Sequence, residues 1–337
     1  MNLASGKGSS PTCLITGGAG VIGSHLGDAL LESGYGVLAL DDLSTGTAEN
    51  VVQSLGHPGF ELHEGSITDT DLVVKLVERA DVLVHLAAAV GVKLIVERPL
   101  DSLITNIRGT EIVLEAAAER GAKVLVTSTS EIYGKNDNAP LHEDSDRVLG
   151  SPFKARWSYS TAKAVDEILA YNYWRERGTP TIVARLFNCV GPRQTGTYGM
   201  VLPRFARAAL SEEDLAVYGD GDQRRCFCHV DDTVAALVAL LDHPGAVGGV
   251  FNVGSQEEVT INRLAEMVIE MTGSSSRIVH IPYDQAYEEG FEDMPRRVPD
   301  ITRIRELTGW EPTRTLEETI TDVIAYERER QVQGATS

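Results

Sequence analysis

Residues 13 to 23 read CLITGGAGVIG. The short apolar run CLIT (13 to 16) leads directly into glycines at 17, 18, 20 and 23. Apolar residues at helical spacing follow, Leu26, Leu30 and Leu31, with Gly34 as a stop signal. Gly18, Gly20 and Gly23 satisfy G-x-G-x-x-G, and Gly17, Gly20 and Gly23 satisfy the variant with three-residue steps. Glycines so placed permit a tight turn and let a pyrophosphate approach free N–H groups at a helix N-terminus. Asp41 ends the next apolar run, VLALD (37 to 41), 18 residues beyond Gly23, close to the interval expected of an acid gripping a ribose 2′-hydroxyl. Asp42 follows where an Arg would welcome a 2′-phosphate, so the expected cofactor is NAD rather than NADP. An ordinary strand-to-helix turn and a surface acid at a strand end are the competing readings, and the combination argues against both.

Outward from this stretch, VLVHLAA (82 to 88), KVLVTST (123 to 129) and TIVARLF (181 to 187) are further apolar runs without strict alternation, as expected of strands covered on both faces. Segments of helical period separate them. The expected fold class is therefore α/β: a Rossmann doubly wound parallel sheet with a smaller C-terminal α/β substrate lobe. A flexible tail is expected over 1–11, the NAD-binding domain over 12–188, and a mainly substrate-binding lobe over 189–330 with some chain returning to the first domain. Within the lobe, Val201 to Leu210 reads as a helix, and the segment from Thr308 on as one more amphipathic helix.

The chain has 337 residues, with 30 Lys and Arg against 49 Asp and Glu, a formal charge of −19 that repels phosphate backbones and argues against nucleic-acid binding. With 42% hydrophobic and 23% charged residues it is an ordinary folded composition. No apolar run approaches the length of a membrane span and the N-terminus lacks a secretory signal, so a cytoplasmic location is expected. Cys13, Cys189, Cys226 and Cys228 include no C-x-x-C pair and read as reduced thiols. His85 and His229 read as hydrogen-bonded structural histidines, and no metal is expected.

Tyr159 and Lys163 form Y-x-x-x-K within SYSTAKAVDE. Four apart on a helix they share a face, where an ammonium can stabilise a phenolate and lower its pKa; a surface amphipathic helix is the plain alternative. The fourth strand ends in TSTSEIYG, which puts Thr129, Ser130 and Glu131 at the carboxyl edge of the sheet. A Thr129 hydroxyl there can bond a carbonyl or alkoxide that Tyr159 protonates or deprotonates, or it can merely satisfy backbone groups in the turn.

Together TGGAGVIG, HLAA, Thr129 with Tyr159 and Lys163, and RLFNCVGPR resemble the extended short-chain dehydrogenase/reductases that act on nucleotide sugars, over nearly the whole chain. The resemblance implies a Rossmann domain with a sugar-nucleotide lobe, a homodimer, and a resident NAD that works through transient oxidation at sugar C4. It further implies cofactor contacts from Gly17, Gly20, Val21, Ile22, Gly23, Asp41, Ser66, Ile67, Leu86, Ala87, Tyr159 and Lys163. Ser66 stands where the family has an adenine-side Asp. Three subgroups compete. Dehydratases carry Asp–Glu after the catalytic Thr, and epimerases a small apolar residue at the position of Glu131; the Thr-Ser-Glu triplet is similar to the UDP-glucuronate decarboxylases. LGSPFKARWSYS (149 to 160) and GFEDMPRRVPDI (290 to 301) also resemble those enzymes. In the second, Arg297 matches an Arg that reaches the sugar, a phosphate clamp or surface ion pair being its other readings. HLAAAVGVKLIVERP (85 to 99) departs towards general nucleotide-sugar enzymes. For the diphosphate the resemblance implies Asn188 and Arg225. The expected activity is decarboxylation of UDP-glucuronate through a 4-keto intermediate to UDP-xylose or UDP-4-keto-xylose, with a 4,6-dehydratase or 4-epimerase as the alternative. The helix around 111 to 119 and the one beginning near Tyr159 match the family's dimerising pair.

Overall fold

The computed structural model describes residues 10–89, 99–154, 156–194, 196, 200–286, 294 and 296–334. The glycine stretch joins β1 (Thr12–Thr16) to α1 (Val21–Glu32), followed by β2 (Gly36–Asp41), β3 (Phe60–Glu64), α2 (Thr70–Val77), β4 (Val82–His85), α3 (Pro99–Arg120), β5 (Lys123–Thr129), α4 (Arg156–Arg177) and β6 (Thr181–Leu186). A seventh strand, Val250–Val253, joins the same sheet beside β6, giving the order Val250–Val253, β6, β5, β4, β1, β2, β3 with every pairing parallel. The fold is the expected Rossmann-like α/β sheet with flanking helices. Strand order reverses between β1 and β4, and ligands of doubly wound sheets bind outside the carboxyl ends of the strands at such a point.

The lack of alternation in the sheet runs has a visible cause. Cys13 and Ile15 enter one core cluster with Leu26, Leu30 and Phe251, while Leu14 enters the opposite cluster with Leu38, Leu83 and Val124. Both faces of β1 are therefore dry, and each fully buried Leu or Ile stabilises the sheet by about 1.5–3 kcal/mol. β3 and Val250–Val253 escaped the sequence reading. FELHE is an edge strand with two exposed residues, and FNV is too short to separate from the mixed lobe sequence around it.

α4 is fixed to the sheet by a bidentate buried pair, Arg185 Nε and Nη2 donating to Glu167 at 2.9 and 2.7 Å, with Arg185 Nη1 donating also to the Tyr133 hydroxyl at 2.9 Å. The later chain has its own core, in which Leu202 and Phe205 of the helix Val201–Leu210 meet Leu264, Ile320 and Ile324. The helix expected from Thr308 on is present but starts later, at Leu316. A short helix, Thr302–Thr308, is closed by Gly309 at φ 76°, and the last helix is Leu316–Gly334. The four cysteines are free, and Cys13, Cys226 and Cys228 are buried. Among the described residues no helix is long and apolar enough to cross a membrane.

Candidate active site

A pocket of about 900 Å³ lies along the carboxyl edge of the sheet, lined by the glycine turn, Asp41, the ends of β4 and β5, one face of α3, and Tyr159, Lys163, Asn188 and Arg297. Gly17 holds φ +73° and lies so close to β4 that a Cβ would stand 2.8 Å from Ala87 N. Gly20 is the N-cap of α1 and offers no side chain to its first turn. At Gly23 a Cβ would fall 2.1 Å from Gly17 O, so only glycine lets helix and turn meet. The structure thus selects Gly17, Gly20 and Gly23 as the lining set; Gly18 packs on Ala39 instead. Asp41 is buried, accepting from Ala19 N and Leu43 N at 2.9 Å each, and burial raises its carboxyl despite those bonds. A backbone cradle free of Cβ atoms, an open helix start and a carboxylate at the end of β2 fit an NAD adenosine diphosphate.

Gly23→Ala tests this directly. The clash is with backbone and cannot be relieved by a rotamer, so strain of about 1–3 kcal/mol falls on the cradle. The expected result is NAD affinity lower by about 10- to 100-fold with the fold retained, read by nucleotide titration and circular dichroism. Wild-type affinity would show that the turn does not hold the cofactor.

Val21, Ile22, Ile67, Leu86 and Ala87 line the pocket as expected. Ser66 is not among the lining residues; its hydroxyl pairs with Thr68 Oγ1 at 2.9 Å, and Thr68 lines the pocket in its place. Arg225 is likewise outside the lining set. Its Nη1 donates to Arg224 O and Met294 O at 2.8 and 2.7 Å, and it sits in register with Arg297 on the neighbouring strand, so it supports the segment that carries Arg297. Residues 290–293 and 295 of the Arg297 segment, and 90–98 of the departing stretch after β4, lie outside the described residues.

Thr129 ends β5 and its hydroxyl accepts from Glu131 N at 3.2 Å, so it caps the turn and lines the pocket at once. Arg297, 8% exposed, gathers this edge. Its Nη1 lies 3.3 Å from Ser130 Oγ and 3.5 Å from Glu131 Oε1, and its Nη2 donates to Asn188 Oδ1 at 3.1 Å. Asn188 is held at φ 38° and donates through Nδ2 to Cys226 O at 2.8 Å, which aims its oxygen at the guanidinium. Sequence-distant Ser130, Glu131, Asn188 and Arg297 are thereby one cluster.

Tyr159 and Lys163 share one face of α4 and both line the pocket. The phenol, however, is pushed well above its ordinary value, first by burial and then by the charges of Glu131 and Asp166. Lys163 is turned inward, donating to Thr127 O at 3.0 Å and lying 3.2 Å from Asp166 Oδ2. In the protein alone, burial is the largest of the causes that raise the phenol. His85 is fully buried between Thr16 and Thr110, and burial and Lys163 lower its pKa to about 3. His229 caps the helix Val230–Asp242 and faces Asp322 at 3.3 Å.

The sequence reading passed over Ser102, Thr105 and Arg108, which line the pocket from α3. Their spacing of three is a polar stripe on a helix otherwise packed against the sheet, and that stripe was the available signal.

The chain matches the family model described as GDP-mannose 4,6 dehydratase over residues 14–323. It is 41% identical over 94% of its length to a UDP-N-acetyl-alpha-D-glucosaminuronate decarboxylase of Bacillus cytotoxicus, covering 98% of that protein. To UDP-glucuronic acid decarboxylase 1 of Xenopus tropicalis it is 37% identical over 94% of the chain and 72% of that protein. Among solved structures, a UDP-glucuronic acid 4-epimerase from Bacillus cereus in complex with UDP-glucuronic acid and NAD superposes with a TM-score of 0.86 at 28% identity, covering 95% of this chain and 99% of that one.

Proposed function

The chain belongs to the GDP-mannose 4,6 dehydratase family, and from that premise we propose that it is an NAD-dependent decarboxylase of UDP-linked uronates, with UDP-glucuronate as substrate. The observation that carries the reading is the cluster of Arg297 with Ser130, Glu131 and Asn188 in the pocket that also contains Tyr159 and Lys163. A guanidinium there supplies a fork for an anionic substrate inside an acidic protein, and a carboxylate beside it supplies a proton-handling group that an epimerase does not need. Curated relatives covering 94% of the chain are named as decarboxylases.

Gly17, Gly20, Val21, Ile22, Gly23, Asp41, Ile67, Leu86 and Ala87 would hold the cofactor. Bound NAD supplies reversible hydride acceptance at sugar C4. Tyr159, as phenolate, takes the proton of the C4 hydroxyl, and Thr129 bonds the same oxygen. The resulting ketone is β to the C6 carboxylate, so the C5–C6 bond can break and leave its electron pair in an enolate. Lys163 stabilises negative charge beside Tyr159, while Arg297 and Ser130 orient the carboxylate and Glu131 sits against it. With NAD bound, protonation of the enolate at C5 and re-reduction at C4 would give UDP-xylose; release before re-reduction would give the 4-keto sugar.

The 41% identical relative is named for the N-acetylated uronate, which differs at C2 and obeys the same chemistry. Incubation with NAD and each uronate in turn, followed by mass spectrometry, tests the reading. A product lighter by CO₂ is expected. Retained mass or loss of water instead would overturn it in favour of an epimerase or dehydratase. A cytoplasmic location and a homodimer belong to the same proposal, the dimer supported by exposed Leu100 on α3 and Ile168 and Tyr171 on the adjoining α4.

A further inference from the structure

Behind Lys163 stands a carboxylate that does not line the pocket. Asp166 lies one helical turn on, its side chain fully buried, with Lys163 Nζ 3.2 Å from its Oδ2. An ammonium has three donors. One goes to Thr127 O, and the Asp166 carboxylate faces the charge as an ion pair at 3.2 Å, while the same Lys163 side chain lines the pocket. A carboxylate without water is costly, and neither oxygen of Asp166 has a hydrogen-bond partner among the described residues, so the Lys163 ammonium at 3.2 Å is what offsets its burial.

A second set of buried contacts lies on the β4 side. Thr110 Oγ1 lies 3.0 Å from His85 Nε2, His85 Nδ1 lies 2.7 Å from Thr16 Oγ1, and Ala87 N donates to Thr16 Oγ1 at 3.2 Å. Burial and Lys163 lower the His85 pKa to about 3, so the imidazole adds no second cation beside Lys163.

We infer that Asp166 is a positioning residue of the reaction, holding the Lys163 ammonium where it lines the pocket and tuning the charge that Tyr159 meets. The inference rests on the decarboxylase reading only for the reaction in which it is measured. Several charged groups face this centre. Glu131 comes from the end of β5 with Arg297 against it at 3.5 Å, and neutral His85 from β4. Asp101 and Arg108 come from α3, and Glu167 from the same helix, turned away onto Arg185 at 2.7 Å. Of the carboxylates, Glu131 and Asp166 are those that raise the Tyr159 phenol. Neutralising Asp166 therefore lowers it, and a base that works as phenolate then keeps its activity to lower pH.

Asp166→Asn preserves shape and removes the charge. In NAD-loaded enzyme given UDP-glucuronate, the rate of cofactor reduction on its plateau is expected to fall about tenfold with KM within about twofold of wild type. The acid limb of the rate should move down by about half a unit to one unit. The 13Cζ-tyrosine resonance that Tyr159→Phe removes should titrate lower by the same amount in NAD-loaded protein without substrate. Superimposable titrations, an upward shift, or an unchanged plateau rate would each overturn the inference. If that variant does not fold, Asp166→Glu keeps the charge and displaces it by one methylene from the Lys163 ammonium; a lower plateau rate with KM intact supports the inference, and a wild-type rate overturns it. A wild-type enzyme that reduces no cofactor with any uronate would sink the decarboxylase reading alone, since the tyrosine titration tests Asp166 without substrate.

Discussion

Replacing Tyr159 by Phe is expected to cut turnover by about 10³-fold or more while NAD stays bound. Among the lining residues Tyr159 is the one phenol, and it shares its face of α4 with Lys163 at the end of β5 where Thr129 stands. Losing a positioned general base costs about 10²–10⁴ in rate. Hydride cannot leave C4 unless the hydroxyl proton leaves too, so both the keto and the reduced product disappear together. The ring is nearly buried, and Phe keeps its packing, so the melting temperature should stay close to wild type. The pH dependence of the wild type has a definite sign. Burial, Glu131 and Asp166 all raise the phenol, so the basic form gains population as pH rises and cofactor reduction should speed up along an acid limb. Rapid-mixing absorbance of the nicotinamide checks both statements. Residual reduction above about 1% of wild type would remove Tyr159 as the base.

The glycine turn was legible because backbone conformation and close approach leave few alternatives there: Gly17 at positive φ and Gly23 against Gly17 O can be nothing else. The sheet was legible because Leu14 and Ile15 bury opposite faces and erase alternation. What the residues alone could not reveal depends on long-range register. Arg297 meets Ser130 from 167 positions away, brought there by the parallel pairing of Arg296–Arg297 with Arg224–Arg225. Its place in the pocket came from resemblance rather than from pattern. The same register places Arg225, expected to contact the diphosphate, beside Arg297, with its Nη1 donating to Met294 O. Ser66, expected on the adenine side, has its hydroxyl 2.9 Å from that of Thr68 two residues on, a local pairing that no motif signals. Asp166 looked like any acid on a helix, and only the sheet behind it makes it a buried partner of Lys163.

Glu131→Gln separates the two halves of the proposed reaction. Oxidation at C4 draws on Tyr159, Thr129 and Lys163, none of which the substitution alters, whereas loss of CO₂ and proton delivery to C5 involve the groups around Arg297. In the wild type Glu131 lies 3.5 Å from the guanidinium, so a substrate carboxylate entering the same space meets one cation already shared with one anion. That arrangement holds the carboxylate without over-stabilising it, and the negative Glu131 favours its departure as neutral CO₂. With Gln the anion is gone, the substrate carboxylate meets a guanidinium with Glu131 no longer paired to it, and its ground state is better stabilised. CO₂ release should fall by about 10²–10³-fold, while cofactor reduction persists and reduced nicotinamide accumulates on the enzyme. The same change removes the first charge that raises the Tyr159 phenol, so the surviving oxidation step should hold its rate to lower pH than in the wild type. Trapping of labelled CO₂ beside nicotinamide absorbance in one stopped-flow series reads all three. Parallel loss of both steps would assign Glu131 to the oxidation, and CO₂ release at the wild-type rate would remove it from the decarboxylation.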